Sequence, residues 1–182
     1  MRNILALFRG YLFILKCKCF HKNIKIGTGL RIYKKLSLTG SGKISIGENC
    51  VIDGIRGDPS QHVCIGGLSS EAIISIGDNA ALYAARVLAK YQVIIGDDVL
   101  IQEAGIMDTD FHSLDRSRDI PSYESKEKCQ VVIGNRVCIG ARSFITKGVI
   151  IGDDVIVTPG SIVTMSVKAG RRIAGNPAKV LE

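Results

Sequence analysis

The chain has 182 residues, 46% of them hydrophobic and 5% aromatic, and a formal net charge of +7. That supply of apolar side chains suffices for one ordered domain, and the absence of Trp, with no groove-reading helix or aromatic-basic stacking pattern, argues against nucleic acid as a partner. All ten basic residues from Arg2 to Lys43 precede the first acid, Glu48, which points to an anionic surface near the N-terminus.

The first element is the apolar stretch ILALFRGYLFIL, Ile4 to Leu15. It is shorter than the roughly twenty residues that cross a bilayer, and it carries Arg9 in its middle. The basic KCKCFHK follows with no small-residue cleavage site, so a signal peptide is not expected. Within a segment taken as 1–25 the pattern predicts a helix that packs across one end of the domain or lies on a membrane surface. The six cysteines, Cys17, Cys19, Cys50, Cys64, Cys129 and Cys138, are irregularly spaced and read as reduced thiols of a cytoplasmic protein. Cys17, Cys19 and His21 lack the second ligand pair of a zinc site, and no metal is expected.

The rest of the chain counts in sixes. Fragments of the period start at Ile26 and Ile46, and an insert from Asp53 to Glu71 breaks it. It returns as IGDNAA, LYAARV and LAKYQV from Ile76, slips by one residue at Ile94, and continues as IGDDVL, IQEAGI and MDTDFH from Ile95. From Ile133 six units follow without a gap: IGNRVC, IGARSF, ITKGVI, IGDDVI, VTPGSI and VTMSVK. A period of six throws successive aliphatics about 120° out of line on an α-helix, whereas short strands joined by corners keep them on one face. Three such units close one turn of a triangular coil, with neighbouring turns about 4.8 Å apart. A single turn buries too little to hold itself together, so the turns must stack.

The unit MDTDFH ends at His112, and 113–132 leaves the coil as a mostly polar loop. A loop of that length in a repeat protein generally either carries function or is disordered. His112 reads either as a polar corner residue satisfied by a neighbouring carbonyl or as a general base, since histidine alone titrates near neutrality without special tuning. On an extended segment Asp108, Asp110 and His112 share parity, so either carboxylate can orient the ring.

The run from Val132 to Lys179, VIGNRVCIGARSFITKGVIIGDDVIVTPGSIVTMSV…IAGNPAKV, resembles the hexapeptide-repeat acyltransferases, and the likeness extends over about Ile26 to Lys179. DTDFHSLD is most similar to the sugar O-acetyltransferases of surface polysaccharide pathways, of the maltose and galactoside acetyltransferase kind. The resemblance implies an all-β fold: a left-handed parallel β-helix over 26–182, with a short N-terminal helix and an extruded loop at 113–132. It implies an acetyl-CoA-dependent O-acetyltransferase acting on a hydroxyl of a sugar or surface-glycan precursor, with His112 taking the hydroxyl proton. The thioester arm is then expected along a groove between coils, held by main-chain groups of Ala141, Pro159 and Thr164 and by the charges of Arg172 and Lys179. It also implies a homotrimer with sites between subunits, acting on a small-molecule or lipid-linked acceptor, while the basic N-terminal segment is compatible with a cytoplasmic protein working at the inner face of the membrane.

Two positions depart from the family pattern. Cys138 stands where many relatives have Trp, and Met165 where they carry Lys, which weakens the expectation of one phosphate contact. Cys138 reads as a small apolar filler rather than an acyl carrier. Three alternatives accompany the main reading: a small acceptor such as serine or an antibiotic, a non-enzymatic scaffold, and a zinc hydratase of the γ-carbonic anhydrase type. The last needs three clustered histidines, and His21, His62 and His112 lie far apart in sequence.

Overall fold

Branched aliphatics suit short strands, where a β-branched side chain packs on the pleated face with little loss of rotamer freedom. The computed structural model describes residues 1–55, 57–110 and 125–181, and after α1 (Arg2–Phe20) the chain winds as a three-sided coil. The first turn runs through β1 (Ile24–Ile26), β2 (Arg31–Ile32) and β3 (Leu36–Gly40), and the second through β4 (Lys43–Ile46), β5 (Val51–Asp53) and β6 (Val63–Gly67). The third holds β7 (Ile73–Ile76), β8 (Ala81–Tyr83) and β9 (Arg86–Ala89), and the fourth β10 (Gln92–Ile95), β11 (Leu100–Gln102) and β12 (Gly105–Met107). A short helix, α2 (Lys126–Cys129), leads back into the fifth turn of β13 (Val131–Ile133), β14 (Cys138–Ile139) and β15 (Phe144–Ile145). The sixth contains β16 (Ile150–Ile151), β17 (Ile156–Val157) and β18 (Ile162–Val163), after which β19 (Arg172–Gly175) and β20 (Ala178–Val180) close the end as an antiparallel pair.

Equivalent strands stack into three sheets, β1-β4-β7-β10-β13-β16, β2-β5-β8-β11-β14-β17-β19-β20 and β3-β6-β9-β12-β15-β18. Strict register makes each inner position a column. On the first sheet Ile26, Ile46, Ile76, Ile95, Ile133 and Ile151 follow one another, all isoleucine. The second column is Ile32, Ile52, Leu82, Ile101, Ile139, Val157 and Ile173, and the third Leu38, Ile65, Val87, Ile106, Ile145 and Val163. Most of these side chains are sealed from solvent, each contributing about 1.5–3 kcal/mol by burial.

The corner between the first two sheets explains the recurring Ile-Gly-acid/amide sequence. Asp78 Oδ1 accepts the N–H of Glu48, Asp97 Oδ1 that of Asp78, Asn135 Oδ1 that of Asp97, and Asp153 Oδ1 that of Asn135, at 2.7 to 2.8 Å. Each turn is thus bonded to the next by a side chain as well as by the strand ladder. Gly47, Gly77, Gly96 and Gly134 leave room for the acceptor side chain of the next turn: a Cβ on Gly77 would sit 2.7 Å from the Gly96 carbonyl carbon, with the Asp97 carboxylate closer still. The residue after each is in the left-handed region, as at Asn79 (φ 56°), Asp98 (φ 56°) and Asp154 (φ 58°), which Asn and Asp tolerate better than bulkier types.

The register differs from the sequence reading in two places. The stretch 53–71 is not one insert, because β6 lies within it and pairs with β3 and β9; the irregular segments are 54–62 and 68–72. The units read from Leu88 and Met107 begin one residue late, since Val87 and Ile106 point inward. The cause is a tight left-handed corner at Ala84 (φ 50°) and Glu103 (φ 43°), which takes the chain from the second sheet to the third in five residues rather than six.

Helix α1 lies across the first turn and is pinned there by polar contacts. Arg2 pairs with Asp53 at 3.1 Å and stacks over Tyr33, whose hydroxyl donates to Asn3 Oδ1 at 2.7 Å. Ala6, Gly10 and Cys17 are the buried positions. Gly10 permits the close approach, because a Cβ there would meet the Leu30 carbonyl carbon at 2.7 Å.

Gly77→Ala forces the corner apart. The expected loss is about 1–3 kcal/mol, read as a fall of several degrees in the melting midpoint followed by far-ultraviolet circular dichroism.

Candidate active site

The corner that leads from the third sheet of the fourth turn into the fifth turn gathers the candidate residues. Asp108 is fully buried there, and its carboxylate accepts three backbone N–H groups from the link between the third and fourth turns: Lys90 on Oδ1 at 2.7 Å, and Tyr91 and Gln92 on Oδ2 at 2.7 and 2.6 Å. An acceptor-only side chain that satisfies three main-chain donors ties the exit of one turn to the exit of the turn before it. Asp110 faces outward and forms an ion pair with Lys147 Nζ, a residue of the turn above. The two carboxylates expected on one face therefore do different work, one internal to the coil and one at its surface.

His112 lies outside the described residues, two positions beyond Asp110. The return of the chain is well defined: Gly148 donates its N–H to the Cys129 carbonyl at 2.9 Å, so α2 is bonded to the corner that carries Lys147. The described residues on either side of 111–124, Asp110 and α2, are thus both bonded to the corner of Lys147 and Gly148. Lys147 had no signal in the sequence, because 37 positions separate it from Asp110 and only stacking brings them together.

The residues expected to hold the cofactor fall into two groups. Ala141 and Pro159 are neighbours on successive turns, at the corner after β14 and β17, where the Ala141 carbonyl accepts the Gly160 N–H at 2.8 Å. Thr164 is exposed just after β18, and next to it an open groove of about 640 Å³ is lined by Met165, Lys168, Arg171, Ile173, Lys179 and Val180. Three cations on an apolar floor suit an anionic group with an apolar attachment. Arg172 is not among the residues lining that groove; it stands on β19 in register with Ile156.

All six cysteines are free. Burial pushes the Cys50 thiol up to about 11, and it raises Cys17 as well. Cys138 faces outward on β14, in register with Leu100 and Ile156. Cys17 is buried while Cys19 and His21 are exposed, and among the described residues no group of three or more His, Cys, Asp or Glu side chains is arranged to hold a metal ion. His62 Nε2 lies 3.1 Å from Ser37 Oγ, with Nδ1 2.9 Å from the Ser60 carbonyl.

A family model described as the hexapeptide repeat of succinyl-transferase matches residues 130–165. The chain is 29% identical over 178 residues to the putative lipopolysaccharide biosynthesis O-acetyl transferase WbbJ of Escherichia coli K12, covering 93% of this chain and 84% of that one. It is 33% identical over 113 residues to the galactoside O-acetyltransferase of the same organism, covering 59% of this chain and 53% of the relative. Among solved structures, the polysialic acid O-acetyltransferase OatWY superposes with a TM-score of 0.69 at 22% identity, over 87% of this chain and 73% of that chain. PerB of Caulobacter crescentus, solved in complex with CoA and GDP-perosamine, superposes with a TM-score of 0.54 at 18% identity, over 100% of this chain and 68% of that chain. The fold is the left-handed β-helix of hexapeptide repeats. The chain is thus similar to hexapeptide-repeat acetyltransferases, and these likenesses support an acyltransferase.

Asp108→Ala leaves three buried N–H groups without their acceptor. It is expected to cost about 1–3 kcal/mol or more, measured by urea unfolding of the purified protein, whereas Asp110→Ala, at the exposed ion pair, changes the same midpoint by less than about 1 kcal/mol.

Proposed function

We propose that this protein transfers the acetyl group of acetyl-CoA to a hydroxyl of a sugar or surface-glycan precursor, with His112 as general base. The observation that carries this reading is the similarity to a lipopolysaccharide O-acetyl transferase along 93% of the chain, with DTDFHSLD standing in the sequence where the six-residue count stops. His112 Nε2 takes the hydroxyl proton as the acceptor oxygen attacks the thioester carbonyl carbon. The tetrahedral intermediate then expels the CoA thiolate, which recovers the proton from the imidazolium. No protein nucleophile is required, so Cys138 has no covalent part in the reaction.

Of the two acids, Asp110 is the one at the surface beside the extruded segment and is assigned to orient His112; Asp108 holds the segment's root. Thr164 and Lys179 flank the groove assigned to the CoA phosphates, with Lys168 and Arg171 in support of Lys179 and with Met165 in place of a further cation. Ala141 and Pro159 offer main-chain groups to the pantetheine arm, and Arg172 is a peripheral cation on this reading. Residues 1–25 cap the solenoid, and 26–182 carry the chemistry.

A homotrimer in the cytoplasm, working at the inner face of the membrane on a lipid-linked acceptor, completes the proposal. Ile150 and Ile156, exposed on the outer faces of β16 and β17, supply apolar surface for contact between subunits. Sedimentation velocity is expected to give three times the chain mass, and a monomer would remove this part of the reading.

His112→Ala is expected to lower kcat/KM for acetyl transfer by about 10²-fold or more with the circular dichroism spectrum unchanged. Turnover against a panel of sugars, serine and aminoglycosides, following CoA thiol release, identifies the acceptor class. Unreduced transfer by His112→Ala overturns the assignment of the base.

A further inference from the structure

Helix α1 has two apolar faces, and the solenoid uses one. Ala6, Gly10 and Cys17 point into the first turn, with Phe13 and Ile14 partly covered beside them. At about 100° per residue, Ile4, Leu5, Phe8, Tyr11, Leu12 and Leu15 fall on the opposite side, in an arc of about 120° without a charge. All six are exposed, Ile4 at 73%, Tyr11 at 59% and Phe8 at 56%. A helix that is apolar all round and covered on one side is an unfinished interface.

The borders of the bare face show what completes it. Lys18 flanks the arc on one side, and Lys16 and Arg9 on the other, all exposed. Arg9 also lines a concavity with Lys34 and Lys35, while Lys22, Lys25 and Lys43 line a second. No acid occurs before Glu48, and Asp53 is engaged by Arg2 at the start of the helix, so the rim formed by Arg9, Lys16 and Lys18 is cationic. A second copy docked through the same face places its own cations against these, because a two-fold contact brings the patch to itself. An anionic lipid surface instead offers phosphates to the cations and acyl chains to the apolar arc. Among the described residues no helix is long and apolar enough to cross a membrane, so α1 is suited to lie on one.

We propose that the outer face of α1, with its rim of Arg9, Lys16 and Lys18, docks this protein on an anionic lipid bilayer. With the helix in the interface plane, the coil stands away from the membrane, and the corner of Asp110 and Lys147 lies roughly 15–20 Å beyond the first turn, at one strand spacing per turn. The docking rests on α1 alone and holds whether or not the acceptor is a sugar; its test is separate from the assay of acetyl transfer.

The experiment is co-sedimentation of the full chain with vesicles of phosphatidylcholine and phosphatidylglycerol, against vesicles of phosphatidylcholine alone. Binding to the anionic vesicles is expected, falling at high salt, and Leu5→Ser/Phe8→Ser lowers the partition coefficient about tenfold or more. Lys16→Glu/Lys18→Glu changes two exposed side chains, retains the wild-type melting curve and loses anionic selectivity, which keeps the test decisive should the apolar variant fold poorly. Absence of binding, or equal binding by wild type and both variants, overturns the proposal. So does self-association in the ultracentrifuge that Leu5→Ser/Phe8→Ser abolishes, since the occupant of the face is then a second copy.

Discussion

The structure depends on the bond that Asp78, Asp97, Asn135 and Asp153 each make to a backbone N–H of the preceding turn. Three columns of aliphatics supply most of the burial, but burial is indifferent to sliding one turn past another. A side-chain acceptor at a fixed corner is not, and it locks register from the second turn to the sixth. It also accounts for the neighbouring sequence: glycine before the acceptor because the side chain of the next turn occupies the space of a Cβ, and a left-handed residue after it because the chain must turn out of one sheet into the next.

The same device, applied once at the opposite corner, builds the candidate site. Asp108 reaches back to the N–H groups of Lys90, Tyr91 and Gln92, where the third turn passes into the fourth, and so anchors the chain just before residues 111–124. On either side of residues 111–124, Asp110 pairs with Lys147 and the last residue of α2 is bonded to Gly148 beside it. Both flanks are held by a rigid stack, and a rigid stack is what proximity catalysis requires of its scaffold.

Much of this was readable from the residues. The six-residue period specifies the inward columns directly, because every first position from Ile133 to Val163 is buried. Two things misled. A corner can shed a residue without disturbing the ladder on either side, so strict counting placed Met107 where Ile106 belongs. The strand VCIGG at β6 has only Val63 and Ile65 pointing inward and irregular segments on both sides, so no run of sixes marks it within the stretch 53–71. The shared parity of Asp108 and Asp110 also implied a common role, yet a bend after β12 sends one inward and the other out.

By itself the sequence determined the coil, its three-fold count, the place where it is interrupted and the basic, apolar character of the first twenty residues, since all of these are local in period or composition. Only the tertiary structure decided which residues from different turns meet: Asp108 with Lys90, Tyr91 and Gln92, Asp110 with Lys147, Lys179 with Lys168 and Arg171. It also decided that α1 covers the first turn with one face and leaves the other bare. The physical reason is that stacking places residues a whole turn apart in contact, and the length of each turn, varied by corners and inserts, sets the partner in a way no local pattern records.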